Sequence, residues 1–357
     1  MSSISEFARQ HVAPRNLAAA QEFPRDLWQA IGAAGLFRIG LPAAYGGDDG
    51  GYVEIAAAER VLVAEGGSLG FGMSWTGHQM TARFFIDRFA NAQQKRMLMP
   101  GLVSGALTIA VAISEPEAGA HPKLLKTTAR RPGGDDGDSY VIDGEKLYVT
   151  NGPIADWFVV LAITALEQGR KRYSALLVPR DTPGLAIVPM PAMKALRPSP
   201  HCGLKFTACR VPAANLLGDV DTAYEKMALL FRDVEDSVGT AGLAGALRYA
   251  AGLLAKAATQ SDEANAAFGE LAGLLDVLDH GADACVAEME NDNAALLVGF
   301  RSLAGQIAAK LKGLRYTVTA DPMFEIVMAD IDLSLGIARQ PRLIKQRRLG
   351  SAFIAAR

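Results

Sequence analysis

The sequence predicts an α+β protein of three parts, with helices in residues 1–105, strands in residues 106–215 and helices again in residues 216–357. In the first and last parts, apolar residues recur three and four positions apart, which is the spacing of one helix face. The middle part instead holds six or seven short apolar runs of strand length between loops rich in proline and glycine. Such a set of strands favours a small barrel or sandwich.

The N-terminal part is predicted to contain helices at Val53–Ala64 and Met80–Ala90, because each run places its apolar side chains on one side. Residues 40–47 form a break between helices, since they include three glycines and a proline. A further helix through Gln94 is expected to stop at Pro100, because proline lacks the N–H that continues the helical ladder.

The middle part has a hairpin signal, Asp-Gly at residues 143–144, between two apolar runs. We therefore expect Ser139–Ile142 and Lys146–Thr150 to be two strands joined by a tight turn. The remaining strand candidates are short apolar runs between polar loops: Leu107–Ile113, Trp157–Thr164, Tyr173–Val178, Leu185–Val188 and Leu204–Val211.

The C-terminal part has no proline between Pro212 and Pro322 and is rich in alanine and leucine. Both features favour long helices that pack as a bundle. We expect these helices at Leu229–Ala257, Ala264–Asp279 and Ala294–Leu314.

Charge and composition exclude several classes of function. A hydrophobic content of 50% and a charged content of 21% are typical of a globular protein and argue against long disorder. The net charge is −2 and the two signs are mixed along the chain, so no basic stripe indicates a nucleic-acid partner. One basic cluster is interpreted as a solvated helix end, with a phosphate-facing end as the alternative: Arg339, Arg342, Lys345, Arg347 and Arg348.

Cysteine and histidine usage argues against disulfide and metal sites. The three cysteines form no C-x-x-C pair and leave an odd count, so a reducing cytoplasm is the expected compartment. The five histidines lack metal-ligand spacing. Met1–Arg15 is too polar for a signal peptide, and no apolar run approaches the roughly 18–20 residues that span a bilayer, so we expect no membrane contact.

Two segments carry residues suited to a flavin site, residues 112–120 and residues 144–152. A flavin needs small hydroxyls and backbone donors near its ring, a flat wall against it and tight turns beside its pyrophosphate. Ser114 and Thr150 offer hydroxyls, and Tyr148 offers an aromatic face. Either segment alone is also compatible with an ordinary turn or strand.

Taken together, these segments resemble the acyl-CoA dehydrogenase family. Residues 114–120 read Ser-Glu-Pro-Glu-Ala-Gly-Ala, which is similar to the family's Thr-Glu-Pro-x-Ala-Gly-Ser. Residues 144–152 read Gly-Glu-Lys-Leu-Tyr-Val-Thr-Asn-Gly, which is similar to its Gly-x-Lys-x-(Trp/Tyr)-Ile-Thr-Asn-Gly. The resemblance covers nearly the whole chain, and Ser-Pro-His-Cys-Gly-Leu at residues 199–204 is nearest the isovaleryl-CoA dehydrogenase-like branch.

The resemblance implies an FAD enzyme with an N-terminal helical domain, a middle β-barrel domain and a C-terminal helical bundle. Its reaction is the α,β-desaturation of an acyl-CoA, with an electron-transfer flavoprotein as the acceptor. By resemblance, Thr150 meets the flavin N5 region, Tyr148 lies against the ring and Ser114 meets the pyrimidine end. The implied cofactor-binding residues are Val111, Ile113, Ser114, Gly119, Ala120, Tyr148, Val149 and Thr150, and the implied substrate-binding residues are Ala120, Arg232 and Asp236.

The catalytic base should be a carboxylate in an apolar pocket, which raises its pKa toward neutrality. Most family members take it from a Glu-Gly-Thr turn, which is absent from Ile331–Leu343 here. The isovaleryl branch places it early in the first C-terminal helix, where Glu235 aligns. Glu235 is therefore the candidate base, and a solvated helix face with Asp233 and Asp236 is the alternative. Asp236 also replaces an arginine that commonly grips the CoA arm.

The C-terminal domain lacks two signatures through which family members contact the FAD of a neighbouring subunit. Asn265 replaces the arginine of Arg-x-x-Phe-Gly, and the region Lys310–Thr319 keeps only Gly313 of a glycine-rich motif. Four hypotheses follow: an active dehydrogenase in a homo-oligomer, a flavin-sharing and weakly active subunit of a heterotetramer, a non-catalytic structural partner, and an oxidase or monooxygenase on the same fold. The sequence does not fix the acyl group.

Overall fold

The computed structural model describes residues 2–133, 138–190, 193–291, 293–315 and 321–356. Its N-terminal part is helical, as expected. The helices are α1 Ser2–Phe7, α2 Arg25–Ala33, α3 Tyr52–Gly66, α4 Leu69–Thr81 and α5 Ala92–Ser104. A π-helical turn, Ala82–Asp87, continues directly from α4.

The expected stop at Pro100 is wrong, because α5 runs through this proline and ends at Ser104. A proline inside a helix costs roughly 3 kcal/mol. The helix tolerates it because Asn91 and Gln94 cap its start reciprocally, with both hydrogen bonds at 2.9 Å. Its buried face, including Leu98 and Leu102, then anchors it in the core.

The β domain is confirmed and forms one eight-stranded sheet. Its strands are β1 Ile109–Ala112, β2 Thr128–Arg130, β3 Ser139–Thr150, β4 Trp157–Glu167, β5 Arg170–Pro179, β6 Leu185–Pro189, β7 His201–Pro212 and β8 Leu216–Leu217. The strand order is β6-β7-β3-β2-β4-β5-β8, and β1 pairs with β4 in parallel. Among the described residues the two end strands, β6 and β8, share no ladder, so the expected barrel is an open sheet by its hydrogen bonds.

The expected hairpin at residues 143–144 is wrong, since β3 is continuous from Ser139 to Thr150. Gly144 instead lies at a register shift against β7, with a φ of 141°. A Cβ there would lie 2.7 Å from the Cα of Thr127, so only glycine fits. The Asp143 carboxylate accepts a hydrogen bond from the N–H of Ala208 at 2.8 Å. The Asp-Gly pair therefore builds a bulge rather than a turn.

The C-terminal part is a helical bundle, as expected. Its helices are α6 Leu229–Ala257, α7 Asp262–Ala287, α8 Ala294–Arg315, α9 Met323–Gly336 and α10 Arg339–Ala355. By length and composition, two of them could cross a membrane: the helical run Tyr224–Ala257 and the helix Ala294–Arg315. The expectation that no apolar run approaches spanning length is therefore wrong. In the first of these runs 72% of the most apolar stretch is buried within the protein, which is the position of a core helix.

The longest helix, α6, joins the C-terminal bundle to the N-terminal helices through a close contact with α3. Two glycines on α6 make this approach possible. A Cβ on Gly242 would lie 2.6 Å from an oxygen of Glu59, and a Cβ on Gly245 would lie 2.6 Å from the backbone oxygen of Arg60. This contact fixes the position of the N-terminal turns of α6 relative to α3 and α4.

The α3–α6 contact can be tested by replacing Gly245 with alanine. The added methyl meets backbone rather than a movable side chain, so we expect a loss of about 1–3 kcal/mol in the free energy of unfolding. Gly252→Ala on the same helix is the matched control, because nothing lies within 4 Å of its Cβ position. The control should gain roughly 0.5–1 kcal/mol from helix propensity. Urea unfolding of both variants measures the difference, and equal effects would contradict the close contact.

Candidate active site

A cavity of about 360 Å³ lies between α4, β1, β3 and the start of α6. Its lining is mostly apolar, with side chains such as Met80, Ile109 and Phe231. Among the described residues that line it, Glu235 is the only carboxylate and Arg232 is the only cation. An apolar pocket in which a few polar groups converge is the usual form of a small-molecule site.

A buried ion pair joins the two segments that the sequence singled out. The Nζ of Lys146 lies 2.9 Å from Oε1 of Glu115, with the two side chains 0% and 5% exposed. Lys146 also donates to the carbonyl of Ile113 at 3.1 Å. The Glu115 carboxylate accepts two further bonds from the backbone N–H groups of Lys126 and Thr127, at 2.6 and 3.0 Å. The pair is therefore hydrogen-bonded on both partners.

Burial alone would raise the pKa of Glu115, but the charge of Lys146 and the hydrogen bonds from Thr127, Lys146 and Lys126 outweigh it and lower the pKa. Burial lowers the pKa of Lys146 to about 8, against the opposing effect of Glu115. Both shifts leave the pair ionised at neutral pH.

Next to this pair, the backbone holds Tyr148 in an unusual conformation. The N–H of Leu147 donates to the carbonyl of Ser114 at 2.9 Å, outside the ladder with β7. Tyr148 follows with a φ of 60°, a left-handed conformation that costs a bulky residue of order 1–3 kcal/mol. The residue remains 59% exposed and lines the cavity. The backbone strain is thus located where an aromatic face borders the cavity.

The hydroxyl of Thr150 also borders the cavity, and it has a partner on the neighbouring strand. Its Oγ1 lies 3.0 Å from Nε2 of His201, the residue directly opposite in the β3–β7 register. The Nδ1 of His201 lies 3.0 Å from the carbonyl oxygen of Ser199. Burial lowers the pKa of His201, and the bond to Ser199 opposes this shift.

Glu235, on the second turn of α6, extends into the cavity from the side opposite the sheet. Crowding by protein raises its pKa to about 7, with a smaller contribution from the charge of Asp236 and an opposing one from Arg232. Glu235 is nonetheless an exposed residue by its solvent-accessible surface. Crowding sets the direction of the shift, whereas the open side reduces its energetic consequence.

Arg232 lies one turn before Glu235 and lines the same cavity. Its Nε is buried and has no hydrogen-bond partner among the described residues. A buried donor without a partner is costly unless a ligand satisfies it. Arg232 is thus a cation beside the cavity whose Nε has no partner in the described part of the protein.

The structure brings most of the predicted site residues together: Val111, Ile113, Ser114, Ala120, Tyr148, Thr150, Arg232 and Glu235 all line the cavity. Val149 does not, because its side chain is buried in the core of the sheet. Gly119 is also outside the lining, on a loop with a φ of 53°. Their predicted contacts could involve only the backbone.

The sequence predicts Asp236 beside the substrate, but the structure places it outside the cavity of Glu235. Its carboxylate lies 3.3 Å from Nζ of Lys345 and 3.9 Å from the guanidinium of Arg342, both on α10. It lines a second cavity of about 550 Å³ between α6, α8 and α10, not the cavity of Glu235. One position on a helix turns a side chain by about 100°, which is why adjacent acids face different cavities. Arg342 and Lys345, expected at a solvated helix end, therefore pair with α6.

The region expected to carry the Glu-Gly-Thr turn does reach the cavity. Ile337 and Ala338, between α9 and α10, line it opposite the β domain. They add apolar surface and no carboxylate, which leaves Glu235 as the acid available there. The glycine-rich motif region, Lys310–Thr319, lies partly outside the described residues.

Sequence reasoning missed the contribution of α4 to the site. Met73, Gly77, Met80 and Thr81 line the cavity from this helix, and His201 supports Thr150 from β7. The α4 positions have no distinctive spacing in the sequence. The facing of His201 and Thr150 depends on the strand register, which the hairpin prediction had wrong.

Comparison with known proteins identifies the family. Family models match residues 1–106 as "Acyl-CoA dehydrogenase, N-terminal domain" and residues 110–209 as "Acyl-CoA dehydrogenase, middle domain". Together they cover more than half of the chain, and neither extends into the C-terminal bundle.

Two curated relatives and one solved structure illustrate the similarity. Mitochondrial isovaleryl-CoA dehydrogenase of Pongo abelii is 32% identical over 60% of this chain and 51% of its own length. L-Prolyl-[peptidyl-carrier protein] dehydrogenase of Pseudomonas fluorescens is 33% identical over 60% of this chain and 56% of its own. The matches thus span about half the length of these relatives. Butyryl-CoA dehydrogenase from Megasphaera elsdenii has a similar fold, with a TM-score of 0.84 over 99% of this chain and 96% of that one, at 19% identity.

The buried ion pair can be tested by Lys146→Met. Removing one partner leaves Glu115 charged and buried, so we expect a loss of about 3 kcal/mol, at the lower end of the usual range because two backbone N–H groups still bind the carboxylate. Lys226→Met is the control, since the Lys226–Asp219 pair is exposed and should change stability by less than about 1 kcal/mol. Chemical denaturation measures both, and an equally small effect at Lys146 would contradict the role of the pair.

The surroundings of Glu235 predict a pH-dependent stability. Because its pKa is about 7 in the folded protein and 4.5 in a free side chain, its stabilising contribution is complete below pH 4.5 and is lost as the pH rises through 7. Glu235→Gln stays neutral, so at pH 8 it should be more stable than wild type by about 1 kcal/mol, a value reduced for solvent screening. Thermal denaturation at pH 4 and pH 8 measures this, and a gain that is the same at both would contradict the raised pKa.

Proposed function

The chain belongs to the acyl-CoA dehydrogenase family, and we propose that it is an FAD-dependent oxidoreductase that desaturates an acyl thioester between the α and β carbons. The observation that carries this proposal is the position of Glu235. Among the described residues it is the one carboxylate on a cavity that is also lined by Tyr148 and Thr150. A base and a flavin platform thus lie on opposite walls of one apolar site.

The residues present fit the ring system of FAD. Tyr148 offers an exposed aromatic face, and Thr150 and Ser114 offer hydroxyls on the same side. A cavity of about 360 Å³ is at the small end of ligand sites, which range over about 300–1,000 Å³. It can enclose the reactive part of the cofactor with the acyl end of a substrate, whereas the nucleotide would extend outside it. When bound, FAD accepts the hydride from the β carbon.

Glu235 would take the α-proton on its carboxylate. An acid with a pKa near 7 is partly ionised at neutral pH and holds the proton well once it has received it. Arg232, one turn away, favours the charged form.

The proposed substrate is an acyl thioester, and two carriers for the acyl group are candidates. Coenzyme A is the carrier that family membership favours. The resemblance to a dehydrogenase whose substrate is attached to a peptidyl-carrier protein supports a carrier protein as the second candidate. A panel of acyl-CoAs and acylated carrier proteins, measured by flavin bleaching, distinguishes the two.

The assembly is also a proposal. We infer an oligomer with an electron-transfer flavoprotein as electron acceptor, and a cytoplasmic location that suits three buried free thiols. The alternative is a heterotetramer in which a second chain of the family completes the FAD site. It is supported by Asn265, an exposed residue on the first turn of α7 where an arginine is common. Stoichiometric FAD in the purified lone chain, with bleaching by a substrate, would reject this alternative.

The assignment of Glu235 as the base is tested with Glu235→Gln in FAD-loaded protein. We expect FAD content unchanged and the rate of substrate-dependent bleaching reduced by about 10²–10⁴-fold, the usual contribution of a general base. Glu225→Gln, an exposed glutamate shortly before α6, is the matched control and should bleach at the wild-type rate. If Glu235→Gln bleaches normally, Glu235 is not the base. If wild type neither binds FAD nor bleaches, whether alone or with a second chain of the family, the proposed function fails.

A further inference from the structure

The imidazole of His201 lies between two cavities. On one side its Nε2 contacts Oγ1 of Thr150 at 3.0 Å, and Thr150 lines the cavity of Glu235. On the other side the ring lines a separate cavity of about 260 Å³, together with Phe23, Met193 and Arg197. The hydroxyl group of Thr150 is therefore the one group between His201 and the proposed flavin site.

The position of the protons in this chain of contacts follows from Ser199. A carbonyl oxygen can only accept, so Nδ1 of His201 carries a hydrogen and donates it to Ser199. In a neutral imidazole the other nitrogen is then a bare acceptor. Thr150 must donate its hydroxyl hydrogen to Nε2, and this leaves only oxygen lone pairs for the cavity.

We propose that His201 is a positioning residue that fixes the hydroxyl of Thr150 as a hydrogen-bond acceptor toward the cavity, and that protonation of His201 reverses this polarity. A protonated ring carries hydrogens on both nitrogens, so Nε2 would donate to Thr150 and the hydroxyl hydrogen would turn into the cavity. The proposal rests on the proposed function, in which the flavin ring is the group that meets Thr150.

The consequence is a preference between the two states of the cofactor. The N5 nitrogen of a flavin ring is an acceptor when the flavin is oxidised and carries a hydrogen when it is reduced. An accepting Thr150 favours the reduced form, and a donating Thr150 favours the oxidised form. Through this hydrogen bond, neutral His201 should raise the reduction potential, and protonation should remove that contribution.

Charged groups around His201 are few in the described part of the chain. Arg197 is the only charged side chain lining the cavity of about 260 Å³. Arg25 on α2 donates to the carbonyl of Pro153 at 3.3 Å, and Glu22 and Asp26 flank it in an adjoining cavity. On the far side of Thr150 are Arg232 and Glu235. None of these is among the causes of the lowered pKa of His201, which are burial and the opposing bond to Ser199.

The test uses the FAD-loaded full chain and two substitutions at His201. Glutamine can still accept from Thr150 and cannot become a cation, whereas leucine removes the acceptor. We expect His201→Gln to keep the wild-type potential at pH 7.5, and His201→Leu to lower it by about 30 mV, a tenfold change in the two-electron equilibrium. His280→Gln is the control, because His280 is exposed on α7.

The pH profile separates positioning from a merely structural role. Because the pKa of His201 is lowered by burial, the wild-type potential should show an additional step at a pH below the usual range of a histidine, and His201→Gln should lack this step. A step that persists in His201→Gln, or a potential unchanged in His201→Leu, would overturn the proposal. A step lost equally in His280→Gln would also overturn it.

A second measurement does not depend on FAD. Nitrogen-15 NMR of the histidines in the full chain reports which ring nitrogen carries the hydrogen. The proposal requires the Nδ1–H form of His201 at pH 7.5 and a shift of its Nε2 signal in Thr150→Val. The Nε2–H form would overturn it. If the chain fails to bind FAD but shows the Nδ1–H form, the proposed function fails while the His201–Thr150 contact stands.

Discussion

The buried contact between Lys146 and Glu115 is the interaction on which the site depends. It connects a loop after β1 to the middle of β3, two stretches about thirty residues apart. Both partners make further hydrogen bonds, so the contact constrains geometry as well as charge. Once Lys146 is held, Leu147 pairs with Ser114 and the chain must turn through the strained backbone of Tyr148. Strain of this kind persists only where the surroundings fix it.

The opposite wall of the cavity depends on a different constraint, the glycines of α6. The sheet can hold a flavin ring, but a base must be brought to it from another domain. Gly242 and Gly245 let α6 approach α3 closely, and Glu235 lies two turns earlier on the same rigid helix. The helix α4 follows α3 in the chain and also lines the cavity. The contact between α6 and α3 therefore sets the position of Glu235 relative to α4. The Lys146–Glu115 pair and the α3–α6 contact are independent constraints, and the cavity lies between the elements that they hold in place.

Much of the fold and part of the site could be predicted from the sequence, and the failures share a physical cause. Helix periodicity located α6 to the residue, since nothing in the long run interrupts it. The motif segments placed Ser114 and Thr150 at the cavity. The errors at Pro100 and Gly144 arose where tertiary packing overrides a local preference. The facing of His201 and Thr150 depended on the strand register, which the local signal at Asp143 misread, and a slip of one residue reverses every side chain.

The three acids at the start of α6 show why position within a turn decides chemistry. Asp233 and Asp236 are three residues apart and share the face that meets Lys345, whose amine lies 3.0 and 3.3 Å from their carboxylates. Glu235 is directed away from that lysine and into the apolar cavity. The cations of α10 stabilise the charge of the two aspartates and so reduce their repulsion of Glu235. Crowding by protein is then the larger cause of the raised pKa of Glu235, and repulsion by Asp236 the smaller. A carboxylate with this pKa is suited to accept a proton and to release it. A glutamate one position further along the helix would face the cations of α10 instead and would lose this property.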